Sequence, residues 1–85
     1  MPTIEETQIA EYYIFATANL FGVTIDQLKG RDRHRGIVDA RFCAIDKVYI
    51  GTEMTYAEVG ELFDNRTPGA IHNALKKSPL NNPLE

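Results

Sequence analysis

The chain has 85 residues, 44% of them hydrophobic and 25% charged, which suits one small globular domain with a single core. No apolar run approaches the ~18 residues of a membrane span, and the single cysteine, Cys43, excludes an internal disulfide. The net charge of −3 runs against the basic excess usual in nucleic-acid binders, so a polyanionic partner would have to be met by a local patch.

The first residues, MPTIEETQ, are acidic and polar, unlike a secretory signal, and with the lone cysteine they suit a cytoplasmic chain. A first helix is expected from Thr3 to about Phe21. Thr3 with Glu6 forms the capping-box pattern, and Gly22 is a natural stop. Ile9, Tyr13, Ala16 and Leu20, with Tyr12 and Phe21 adjoining, recur at three- and four-residue steps and predict its buried face. Tyr12, Tyr13, Phe15 and Phe21 are accordingly expected in the core rather than as a stacking platform for bases. Thr24 caps a single turn, IDQLK, which closes at Gly30.

A loop, RDRHRG, follows. Residues 29–41 hold Lys29, Arg31, Arg33, Arg35 and Arg41 against Asp32 and Asp39, whereas residues 1–28 hold no lysine or arginine. Three arginines within five residues repel one another, and a nearby polyanion would relieve that repulsion. The competing reading is a solvated loop whose arginines pair with Asp32 and Asp39.

Asp39 is the expected N-cap of a third helix reaching about Ile50, with Phe42, Ile45, Val48 and Tyr49 inward, Cys43 a small core residue and Gly51 the stop. Thr55 with Glu58 gives a second capping box, opening a fourth helix with Tyr56, Val59, Leu62 and Phe63 at helical spacing. Asp64-Asn65-Arg66 interrupts the pattern. Thr67 as N-cap and Pro68 at the first helical position open a fifth helix, to about Lys77, whose apolar stripe is Ala70, Ile71, Ala74 and Leu75. No segment alternates as a strand would. The fold class expected is all-α: a compact five-helix domain over residues 1–77 and a flexible tail over 78–85. The last two helices are disposed as a helix-turn-helix, whose second helix can enter a DNA major groove.

Three blocks carry a likeness to a known family. They are VTIDQLKGR (Val23–Arg31), the spacing of Arg33, Arg35 and Arg41, and Glu58-Val59-Gly60 followed by Phe63 and Arg66. In this order the chain resembles the C-terminal DNA-binding domain of the bacterial replication initiator DnaA, from about Thr17 to Lys77. The resemblance implies double-stranded DNA as partner, Arg33 reaching into a minor groove and its neighbours meeting phosphates. The departures lie at the helix start. Where the family's turn carries two glycines this chain has Asp64-Asn65, and where it has a base-contacting Asp-His-Thr-Thr run this chain has Thr67-Pro68-Gly69-Ala70. Its histidine three residues further on is Asn73 here. No phosphate-cradling P-loop pattern occurs, so ATP-driven origin opening is not expected of these residues.

The DNA-contacting residues expected are Lys29, Arg31, Arg33, Arg35, Arg66, Thr67, Asn73, Lys76 and Lys77. Arg66, just before the fifth helix, suits a phosphate clamp with the backbone N–H groups there; its competing role is a surface pair with Asp64 or Glu61. Asn73 has the donor–acceptor pair that reads adenine, and His72 beside it could read a base or be an ordinary exposed helix residue. Lys76 and Lys77 suit either phosphates or the helix dipole. His34 and His72 have no partner at a metal-ligand spacing, so neither catalysis, nor a metal, nor a cofactor is expected. The alternative reading is a protein–protein interaction module, which the net charge, the acidic Glu58, Glu61 and Asp64 and the apolar Pro68-Gly69-Ala70 would suit.

Overall fold

The computed structural model describes residues 3–77. Among them there is no strand, and five helices follow in order: α1 (Ile4–Phe21), α2 (Ile25–Lys29), α3 (Arg35–Gly51), α4 (Tyr56–Leu62) and α5 (Pro68–Lys77). The expected tail, 78–85, lies outside the described residues.

Four of the five helix starts among the described residues follow a threonine. Thr3 with Glu6, Thr24 with Gln27 and Thr55 with Glu58 each make a reciprocal capping box, in which two orphan donors are satisfied at once. Thr67 Oγ1 accepts from the Ala70 N–H at 3.2 Å and caps α5. Gly22 ends α1 with φ +69°, a left-handed conformation that glycine adopts without steric cost.

α3 is the central element and touches each of the other four helices. Ala40, Ala44, Ile45 and Val48 of α3 meet Ala10 and Ile14 of α1, Leu28 of α2, Val59 of α4, Phe63 just after it, and Ile71, Ala74 and Leu75 of α5. Leu62 is only half-buried. Cys43 is buried as expected, and desolvation raises its thiol pKa.

Two expectations need correction. α3 begins at Arg35, a turn before Asp39, with His34 as N-cap. The added turn buries Ile37, which Asp39 as a cap would have left outside the helix. α1, too, is turned about its axis from the expected setting. Ala10, Ile14, Thr17 and Ala18 face inward, while Ile9 is 42% and Leu20 74% exposed, and Tyr12, Phe15 and Phe21 are exposed as well. The reason is size. Both sides of α1 are apolar, and the side with Ala10 and Ala18 allows a close approach to Ala40 and Ala44 of α3, which the bulkier side would not. Tyr13 alone of the α1 aromatics packs on the core, against Gly51, where a Cβ would collide with its ring. Among the described residues no helix is long and apolar enough to cross a membrane.

Candidate nucleic-acid interface

The candidate site is built where the loop 31–34 meets the turn between α4 and α5. That turn is tight. Asp64 and Asn65 both hold positive φ, 63° and 55°, in the left-handed region that Asp and Asn tolerate better than most side chains. The carbonyl of Gly60 accepts the N–H groups of Phe63 at 3.1 Å and Arg66 at 2.9 Å. A Cβ at Gly60 would strike the Arg66 carbonyl oxygen, so close approach of backbone, not an unusual φ, requires the glycine.

Arg66 joins this turn to the loop. Its guanidinium donates to the carbonyls of Lys29 (2.9 Å), Phe63 (2.6 Å) and Gly30 (2.5 Å). Arg41, buried in α3, donates to Leu28 O at 2.7 Å and Gln27 O at 2.8 Å. Every carbonyl from Gln27 to Gly30 is thus taken by a guanidinium. A helix as short as α2 does not persist alone, and Gly30, at φ −84°, does not close it with a left-handed cap. The two arginines serve as its C-cap, where cations also suit the helix dipole. Burial pushes the pKa of Arg66 down from the usual arginine value; the nearby Arg41 and Arg31 push the same way and Asp64 opposes them.

Arg66 is therefore a structural tie rather than the free phosphate clamp expected, and its bonds run to backbone rather than to Asp64 or Glu61. Arg31 reinforces the tie, donating to the Asp64 carboxylate at 2.8 Å and its carbonyl at 2.9 Å. Asp32 turns to His34. It accepts the His34 N–H at 3.0 Å and lies 2.6 Å from His34 Nδ1, and that backbone bond first, then the ring, lowers its pKa. Lys29 is half-buried, 4.0 Å from Glu11.

The remaining candidates are outward. Arg33 and Arg35 are exposed, and their side chains make no hydrogen bond or ion pair among the described residues. Arg33 lies in the loop; Arg35, expected there too, is the first residue of α3. On α5, Ile71, Ala74 and Leu75 face the core, leaving Gly69, Asn73 and Lys76 along the opposite face with His72 and Lys77 beside them. His72 leans on the Tyr56 ring, centroids 5.7 Å apart. Thr67 spends its hydroxyl on the cap.

Two features escaped the sequence reading. Arg41 lies on the same helical face as Ile37, Ala44 and Val48, and a base on a buried stripe must find partners there; that spacing was the available signal. The Arg31–Asp64 pair spans 33 positions and has no local signature. No family model, curated protein or solved structure matches the chain.

Proposed function

We propose that this chain binds double-stranded DNA, with α4 and α5 as a helix-turn-helix and Arg33 and Arg35 meeting the neighbouring phosphates or minor groove. The observation that carries the reading is the tie made by Arg66 and Arg31. It holds the basic loop against the start of α5, so one rigid surface presents both an outward helix and unpaired arginines. Backbone contacts of this kind position a protein, and helix side chains in the major groove specify sequence. Asn73 is the residue on that helix equipped to read a base. The positive φ values of Asp64 and Asn65 support the resemblance to the DnaA C-terminal domain, since they suit positions where that family carries glycines. On this reading the chain is a diverged copy serving regulation of replication or transcription.

Pro68, Gly69 and Ala70 supply no polar side-chain atoms where the initiator contacts bases, so no preference for the initiator's own DNA box is expected. The test is a fluorescence-anisotropy titration of a mixed-sequence duplex at two salt concentrations, with the initiator's box as competitor. Salt-sensitive binding without box preference is the expected result. Absence of binding at low salt and at tens of micromolar chain would overturn the proposal and favour the protein-interaction reading, for which the exposed apolar side chains of α1 are the specific observation.

A further inference from the structure

His34 stands between Arg33 and Arg35, the outward arginines of the loop and the start of α3, and its side chain is 84% exposed. Its ring is held from one end. Nδ1 lies 2.6 Å from Asp32 Oδ1, the oxygen that also accepts the His34 N–H. An ionised carboxylate only accepts hydrogen bonds. The neutral ring therefore carries its proton on Nδ1 and leaves Nε2, at the far end, as a bare lone pair. A phosphate oxygen has no use for a lone pair. Protonation turns Nε2 into a charged donor.

We propose that His34 is a proton-gated contact of the DNA surface: its ring takes up a proton as DNA binds, and Nε2 donates to a phosphate beside those met by Arg33 and Arg35. The inference rests on the DNA-binding reading above. In the free chain the influences on the ring oppose one another. Asp32 favours the imidazolium. The exposed Arg33 and Arg35 disfavour it, as does the positive end of α3, for which His34 is the N-cap. Among the described residues no side chain of another element pairs with the ring; Arg41 acts on Asp32 from within α3, and Arg31 is turned to Asp64. Phosphates reverse the balance. They neutralise both arginines and bring negative charge to the ring itself, so the ring holds its proton more tightly in the complex than in the free chain. By linkage, the complex tightens as pH falls. Asp32 stays ionised throughout, because the His34 backbone bond and then the ring hold its pKa below the ordinary carboxylate value.

The experiment is an anisotropy titration of the full chain against mixed-sequence duplex at about pH 8 and about pH 5.5, a span across which histidine ordinarily changes charge. Ionic strength is fixed near 0.1 M. One added phosphate contact corresponds there to roughly five- to tenfold tighter binding and to a salt slope steeper by about one. The wild-type chain should gain both at the lower pH. His34→Gln should gain neither, with an unchanged far-ultraviolet circular dichroism spectrum, since the His34 side chain makes no cap bond. His72→Gln, at the second of the chain's two histidines, should keep the gain. In NMR titrations the His34 ring resonance should change at a higher pH with duplex present than without it, which a merely structural histidine would not show. Binding of equal strength at both pH values overturns this inference and leaves the DNA reading standing. So does a gain that survives His34→Gln, or a ring that titrates alike with and without duplex. Absence of binding at both pH values fails the DNA reading itself, and this inference with it.

Discussion

Arg66 and Arg33 are both arginines at the candidate site, yet they do different work. Arg66 donates to three carbonyls, and its removal leaves partly buried acceptors without partners. Arg66→Ala should cost about 2–3 kcal/mol of stability, read as a lower urea midpoint, and Arg66→Lys should recover little because an ammonium lacks the planar fork. Arg33→Ala should leave the urea midpoint within about 0.5 kcal/mol and still weaken binding to every duplex. Arg66→Ala should also weaken DNA binding beyond the loss of folded protein, because the loop is no longer held against α5. The salt slope should stay unchanged, since no phosphate contact is lost; a slope shallower by about one would restore Arg66 as a direct contact. Gly69 makes the complementary case. Nothing lies within 4 Å of a Cβ placed there and its φ is not in the left-handed region, so neither packing nor backbone requires a glycine. Gly69→Ala should stabilise the fold by roughly 0.5 kcal/mol and weaken DNA binding, because the added methyl stands where a base or phosphate would approach. A variant that is both more stable and equally tight would separate Gly69 from the interface.

Among the elements, α2 and the α4–α5 turn depend most on others. α2 has five residues, one threonine box at its start and two borrowed guanidiniums at its end. The turn depends on Gly60, whose missing side chain lets the Arg66 carbonyl close over α4. Gly60→Ala sets a methyl against backbone that has no rotamer to yield. It should cost about 2 kcal/mol or more, lowering the thermal midpoint by roughly 10 °C in a domain of this size. An unchanged melting curve would show that the turn has a second way to close. Because Arg66 couples this turn to the loop, Gly60→Ala should also reduce DNA binding more than its effect on the folded fraction explains.

For the molecule as a whole, the segregation of charge matters more than the net of −3. The acidic first helix and the basic loop are separate along the chain, although Glu11 of α1 lies 4.0 Å from Lys29, and screening limits the reach of each exposed charge. With Arg66 and Arg41 committed to carbonyls and the exposed Arg31 to Asp64, the outward cations without a partner among the described residues are Arg33, Arg35, Lys76 and Lys77. Four phosphate contacts predict that log affinity falls with log salt at a slope of roughly −3 to −4; a slope near zero would place binding outside these residues. Much of this architecture was legible along the chain. The threonine caps, the glycine stop at Gly22 and the stripe of α5 are local matters, set by hydrogen bonds within one turn and by periodicity within one helix, so sequence alone determined them. The inward side of α1 was not legible, because both of its sides are apolar and only the fit of Ala10 and Ala18 to α3 distinguishes them. Nor was the start of α3, where burial of Ile37 outweighed a good capping residue at Asp39. The sequence likewise showed a cluster of arginines but not their division. Arg31, Arg41 and Arg66 look like Arg33 and Arg35 until the chain folds and brings the carbonyls of residues 27–30 and the Asp64 carboxylate within reach. A guanidinium's partners are chosen by distance in space, and only the tertiary structure decided which were left for DNA.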